Sequence, residues 1–207
     1  MEKVGKWIGP VSGILFVASI VASGAISGEI DAEPSDSATR VLAEFRENAD
    51  DIGLAAFLGM LGVGFLLIWI GDLRTRSRDG GAGWAADAFL AGGIALAGSM
   101  IAMTLLRLAG GVAGEHGHAE VAQGVVDFIW EGVFIFSPGL LAVGIAAAAI
   151  SFTHRVLPIW LGAFAIVVAL GALAPWMGIF VFGAWVLAVS IYELTQVPRP
   201  AMSANDG

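Results

Sequence analysis

The sequence predicts an all-α membrane protein, a six-transmembrane-helix bundle with both termini in the cytoplasm (N-in/C-in). Of its 207 residues, 57% are hydrophobic and 14% are charged, and the mean hydropathy is +0.84. A soluble domain carries charge on about a quarter of its residues. Apolar runs recur along the chain, each close to the ~20 residues that cross a bilayer. Lys and Arg gather in alternate loops, as the positive-inside rule requires of cytoplasmic segments.

The predicted spans form one transmembrane domain over residues 1–195, and a disordered cytoplasmic tail is predicted over 196–207. The spans are 7–27, 53–71, 84–108, 124–151, 156–174 and 176–194. The last two divide one apolar run at Pro175, because this run is about twice as long as one crossing needs. The first run, which follows Lys3 and Lys6, also fits a cleaved signal peptide, and that alternative stays open.

The distribution of basic residues predicts the orientation. With the N-terminus inside, the cytoplasmic side receives Lys3, Lys6, Arg74, Arg76, Arg78, Arg155 and Arg199. The outer side receives Arg40, Arg46 and Arg107. This excess on one side predicts a multi-pass protein of the inner or plasma membrane.

The first outer loop, residues 29–52, is strongly acidic and contains the segment SDSATRVLAEFRENA. Val41, Leu42, Phe45 and Ala49 recur in it at helical spacing. We expect a short amphipathic helix there, lying on the outer rim of the bundle. A solvated connector is the simpler interpretation of this loop, and a binding lid is the alternative.

Three ionisable residues near the outer ends of the third and fourth spans form a candidate buried charge cluster. Asp127 and Glu131 are four residues apart and share one helix face. Arg107 lies at a similar depth on the preceding span, so an ion pair with either carboxylate would lower the cost of burying them. The cluster either holds the two helices in register or binds a proton or cation.

Pro138, in the middle of the fourth span, predicts a helix break. Carbonyl groups freed by such a break coordinate ions or substrates in some transporters. Neighbouring helices satisfy them in most membrane proteins.

The sequence contains little evidence for metal-binding, cofactor-binding or catalytic sites. His116 and His118 stand in a Gly-rich connector beside two carboxylates, but their spacing fits no zinc signature, so no metal and no cofactor are predicted. Nucleotide-binding, serine-hydrolase and zinc-protease motifs are missing from the sequence, as is cysteine. We therefore expect no enzyme. The arginines at 74–78 follow from the positive-inside rule and predict no nucleic-acid partner.

Three stretches carry a resemblance to a protein family: SDSATRVLAEFRENAD, WEGVFIFSPGLLAVGIA and RVLPIWLGAFA. The chain resembles small six-span integral membrane proteins of bacteria, of the actinobacterial type, whose function is unknown. The resemblance implies location and topology and no activity.

The predicted function is that of a non-enzymatic accessory or scaffold protein that packs against partner helices. Its partners would be the lipid bilayer and either another membrane protein or a second copy of the chain. The alternative is a small transporter or channel that uses the buried carboxylate pair and the proline-broken helix. A transporter requires a water-accessible cavity that reaches Glu131, whereas a scaffold requires a filled bundle with paired charges.

Overall fold

The computed structural model describes residues 2–27 and 32–196, with side chains from Trp7 onward, and this part of the chain is helical without any strand. The α-helices are α1 (Glu2–Ile26), α2 (Ala38–Glu47), α3 (Ala49–Asp79), α4 (Gly83–His116), α5 (Ala119–Glu131), α6 (Ser137–Phe152), α7 (Ile159–Leu170) and α8 (Pro175–Gln196). Two 3₁₀ segments, Gly132–Phe136 and Gly171–Leu173, follow α5 and α7. The predicted all-α class is confirmed. The predicted tail lies outside the described residues from position 197 onward.

Within residues 2–27 and 32–196, five helical stretches are long and apolar enough to cross a membrane. They are Trp7–Ile26, Ala49–Asp79, Gly83–His116, Ala119–Phe152 and Pro175–Gln196. The span predicted at 156–174 corresponds to a shorter apolar helix, Ile159–Leu173. Prolines account for this shortness, because Pro158 precedes its first residue and Pro175 begins the next helix. These apolar helices fit a membrane protein.

Six helices form a closed ring. Going round it, α1 packs on α3, α3 on α4, α4 on α6, α6 on α7, α7 on α8, and α8 on α1. A cluster of fully buried aromatic side chains fills one half of the ring: Phe16, Trp69, Phe89, Phe182 and Trp185. The rings of Trp69 and Trp185 meet edge to face, with centroids 5.7 Å apart. We call the adjacent end of the bundle the basic end. There α3 joins α4, and the side chains of Arg74, Arg76 and Arg78 lie close to this connection.

The opposite end is covered by α2, α5 and the last turns of α4, and is called the capped end. The cap has its own hydrophobic cluster, made of Ala32, Val41, Phe45, Ile52, Ala113, Ala122, Val125 and Val126. Gly110 and Gly114 let α2 approach α4, because a Cβ at either position would overlap Phe45. The Arg46 Nε donates to the Gly114 carbonyl at 3.0 Å. Gly117, with φ 77°, then ends α4 in the left-handed conformation.

The α7–α8 hairpin stops short of the capped end. The Ser137 hydroxyl donates to the Ala172 carbonyl at 2.8 Å, and the Ser99 hydroxyl donates to the Ile135 carbonyl at 2.8 Å. The turn of the hairpin therefore lies at the level of Ser99, near the middle of α4. From Ser99 to Arg107, α4 continues for about 12 Å at a rise of about 1.5 Å per residue.

Candidate ligand-binding cavity

A cavity of about 570 Å³ lies at the capped end, where the cap meets the helical ring. Its walls come from α1, α3, α4, α5, the 3₁₀ segment after α5 and the first turns of α8. Most of the lining is apolar and includes Ile20, Ala55, Met103, Ile129, Phe136 and Ile179. Its volume falls within the roughly 300–1,000 Å³ of pockets that bind small molecules.

Among residues 2–27 and 32–196, Arg107 is the one charged residue that lines the cavity. Its side chain is half-buried. In the described part of the chain, no carboxylate oxygen lies within 4.0 Å of its guanidinium nitrogens, and no hydrogen bond from it is formed. A guanidinium has five N–H donors, so this group can bind an anion that enters the cavity.

Several other polar groups of the wall donate to the backbone. The Ser23 hydroxyl donates to the Ala55 carbonyl and the Thr104 hydroxyl to the Met100 carbonyl, each at 2.8 Å, while the Trp130 Nε1 donates to the Ala32 carbonyl at 3.3 Å. These bonds fasten the walls to one another and satisfy the groups concerned. Arg107 is therefore the group in the wall best suited to hold a charged ligand.

The structure does not bring Arg107, Asp127 and Glu131 together into the buried charge cluster that the sequence predicts. Both carboxylates are exposed on α5, and neither lies within 4.0 Å of an Arg107 nitrogen. Asp127 accepts a hydrogen bond from the amide of Gln123, whose Nε2 donates to it at 3.3 Å. The reason is the orientation of α5, which turns residues such as Val126 into the cap and leaves positions 127 and 131 on its outer surface.

The helix break near Pro138 is a 3₁₀ segment, Gly132–Phe136, that ends one residue before α6 begins. Pro138 lies in the first turn of α6, where a missing N–H costs little. The Ile135 carbonyl accepts the hydroxyl of Ser99, so a neighbouring helix rather than an ion satisfies this backbone group. Phe136, the last residue of the break, reaches the cavity wall.

His116 and His118 lie at the turn between α4 and α5. Their rings are stacked with centroids 6.3 Å apart, and the Nδ1 of His116 is 2.9 Å from the Val112 carbonyl oxygen. Within residues 2–27 and 32–196, no three His, Cys, Asp or Glu side chains are placed to hold a metal ion. The two histidines thus remain the weak candidates that the sequence indicated.

The basic end contains an ionic cluster that was not predicted from the sequence. The Arg76 guanidinium contacts both Asp72 and Glu193, the latter at 2.8 Å. Glu193 is only 6% exposed, and an added Cβ at Gly9 would overlap the Asp72 carboxylate, so α1, α3 and α8 meet closely here. The available signals were the i,i+4 spacing of Asp72 and Arg76 and a lone carboxylate in an apolar helix.

No family model, curated protein or solved structure matches this chain. The resemblance to small six-span bacterial proteins therefore stays a prediction.

Proposed function

We propose that this chain is a six-span membrane protein that binds an amphiphilic molecule with an anionic head group in the capped-end cavity. Arg107 in the wall of a mostly apolar cavity is the observation that carries this function. A guanidinium offers a planar fork of donors that matches a carboxylate or a phosphate. Apolar walls favour hydrocarbon. Together, the guanidinium and the apolar walls favour a ligand that has an anionic group and a hydrocarbon chain.

The ring of helices supports a count of six spans, because α7 stands in it between α6 and α8 as a full neighbour. The asymmetry of Lys and Arg supports a cytoplasmic basic end, with both termini inside and the capped end outside the cell membrane. In this orientation α2 is a short amphipathic helix in the first outer loop. Val41 and Phe45 are buried on one side of it, and Arg40 and Glu47 are exposed on the other.

The depth of the cavity fits an amphiphile. The stretch from Gly132 to Phe152 has about the 20 residues that one crossing needs, so α5 would stand beyond the hydrocarbon. That placement accounts for the exposed carboxylates of α5, which would be costly within the bilayer. Trp130, near the end of α5, lines the same cavity as Arg107. Trp and Arg are both favoured at head-group depth.

Ligand binding is favoured over the two functions predicted from the sequence. A purely accessory or scaffold role required a filled bundle with paired charges, which the cavity and the separated charges do not favour. A transporter or channel of the predicted kind required Asp127 or Glu131 at the cavity, and neither lines it. The proposed role is non-enzymatic, with the bilayer as the immediate partner.

Retention of phosphatidic acid and of diacylglycerol with the same acyl chains tests the function. The protein is purified from vesicles that contain both lipids, and native mass spectrometry counts the lipids retained. We expect retained phosphatidic acid to exceed diacylglycerol by about tenfold, the effect of one charge-assisted contact. Arg107→Gln should abolish the difference. Arg40→Gln, which removes an exposed charge of the cap, is the matched control and should leave it unchanged.

Equal retention of the two lipids by the native protein would overturn the proposed function. An equal loss of the preference for phosphatidic acid in Arg107→Gln and Arg40→Gln would also overturn it, because the preference would then come from the general charge of the capped end.

A further inference from the structure

The cavity has an apolar mouth on the side of the bundle. Above the α7–α8 turn, the part of the chain that the structure describes places no helix of the ring at the level where α4 continues toward Arg107. The first turns of α8 form the floor of the cavity at this place, through Trp176, Ile179 and Phe180. The short hairpin therefore leaves a gap in the wall between its own turn and the cap.

The side chains at this gap are those expected beside lipid chains. Phe180 lines the cavity and is nevertheless 78% exposed, and Leu173, at the turn, is 81% exposed. Trp130 and Trp176 line the cavity and are also exposed. A group of large apolar side chains on a water-facing opening would be unfavourable, whereas hydrocarbon accommodates it.

We infer that the cavity opens sideways into the bilayer leaflet of the capped end and takes its ligand from there, as an acyl-chain lipid with an anionic head group. This inference rests on the proposed function and adds the source and orientation of the ligand. The head group lies at Arg107, beneath the cap, and an acyl chain runs down past Phe136 to the floor formed by α8. A lipid in the leaflet already has this orientation, so it enters without turning over.

A water-soluble phosphate carries the same anionic group as the lipid head group. The following experiment separates these two sources of the ligand. Phosphatidic acid with a photoactivatable diazirine at the end of one acyl chain is incorporated into vesicles with the full-length protein. After irradiation, cross-linked peptides are identified by mass spectrometry. We expect the label on the peptide that contains Ile179 and Phe180. Glycerol 3-phosphate added to the water in millimolar excess should not reduce this labelling.

A matched pair of glycine variants tests whether the chain occupies the cavity. Gly24 lines the cavity, and an added Cβ there meets no atom within 4 Å. Gly64 on α3 is equally open but lies outside the cavity. Gly24→Phe should lower the labelling about tenfold, because the new ring takes the space of the acyl chain. Gly64→Phe should leave it unchanged.

The position of the mouth is measured independently of ligand binding. The chain has no cysteine, so a spin label at Phe180→Cys reports on one site alone. We expect the label to be relaxed by molecular oxygen, which concentrates in hydrocarbon, and to be protected from a water-soluble nickel complex.

Three results would overturn this inference: access of the nickel complex to position 180, displacement by glycerol 3-phosphate, or equal labelling of Gly24→Phe and Gly64→Phe. If any of them occurs while the preference for phosphatidic acid still depends on Arg107, the proposed function stands and only the lateral source fails. If the preference does not depend on Arg107, the proposed function itself fails.

Discussion

The interiors of the two halves of this bundle are packed in opposite ways: one is filled and the other holds a cavity. The basic half is filled by an aromatic cluster around Trp69 and Trp185 and closed by the contacts of Arg76 with Asp72 and Glu193. The half next to the cap holds a cavity, whose wall combines small or flexible side chains such as Ala55 and Met103 with aromatic ones such as Phe136. The helices α1, α3 and α4 run through both halves, whereas α7 stops short of the cap, so the two halves differ in the helices that enclose them.

The glycines of α1 show this difference within one helix. At Gly13, an added Cβ would overlap the Ser190 hydroxyl and the Trp69 ring. At Gly24, it would meet nothing within 4 Å. The first glycine serves close packing, and the second borders open space.

Labelling from outside the cell should separate the two ends completely, the largest effect expected. Ser35 in the first loop and Arg78 at the basic end are both exposed, and the chain has no cysteine of its own. A membrane-impermeant maleimide applied to intact cells should label Ser35→Cys and leave Arg78→Cys unlabelled. Permeabilised cells, in which both should react, are the control. Reaction of Arg78→Cys in intact cells would contradict the cytoplasmic basic end.

Gly13→Leu and Gly24→Leu should differ strongly in stability. Gly13→Leu forces side chains into the packed interface of α1, α3 and α8, and we expect it to lower the free energy of unfolding by about 3 kcal/mol or more. Gly24→Leu should change it by less than about 1 kcal/mol, since the added side chain meets open space. Thermal unfolding in detergent measures both. Similar losses in the two variants would refute the contrast between the halves.

Arg76→Ala should destabilise the basic end by leaving Glu193 buried without its cation. Breaking a fully buried pair costs about 3–5 kcal/mol, but the Arg76 side chain is 38% exposed. Allowing for solvent screening, we expect a loss of about 1–3 kcal/mol in the free energy of unfolding. The double variant Arg76→Ala with Glu193→Gln should recover part of this loss. Failure of the second change to recover any stability would show that Glu193 does not depend on Arg76.

The smallest effect is expected at the two carboxylates of α5. Asp127→Asn and Glu131→Gln remove charges that are exposed and have no guanidinium within ion-pair distance in the described residues. Each should shift Tm in detergent by less than about 2 °C. A loss similar to that of Arg76→Ala would mean that these groups are buried in the membrane-embedded protein.

Local features of the sequence predicted the helical class and most of the apolar helices, because hydropathy and charge are read within a short window. A short window could not show that the residues of α5 pack into the cap. Val125, Val126 and Ile129 are apolar because the cap has a core of its own, while their hydropathy also fits a membrane segment. A proline predicts an interruption locally, and the structure has a 3₁₀ segment, Gly132–Phe136, shortly before Pro138.

The candidate site was predictable only in part. Arg107 was recognised as a charge at membrane depth, but the i,i+4 spacing of Asp127 and Glu131 says only that they share a face, and not which way that face points. The contact of Arg76 with Glu193 joins positions 117 residues apart. Its formation depends on which helices become neighbours in the ring, and no local pattern contains that information.

The brevity of α7 also has a consequence for the bilayer. A hydrophobic stretch shorter than the surrounding hydrocarbon is accommodated by thinning of the membrane beside it, at a cost of fractions of a kcal/mol per Å. The apolar stretch Ile159–Leu173, which comprises α7 and the 3₁₀ segment after it, is shorter than one crossing needs. The helices α3 and α4 are long enough for an ordinary membrane. The protein would therefore meet two membrane thicknesses around its circumference. Thinner bilayers relieve the strain on the α7 side, and two copies that share one thinned patch deform fewer lipids than two copies apart.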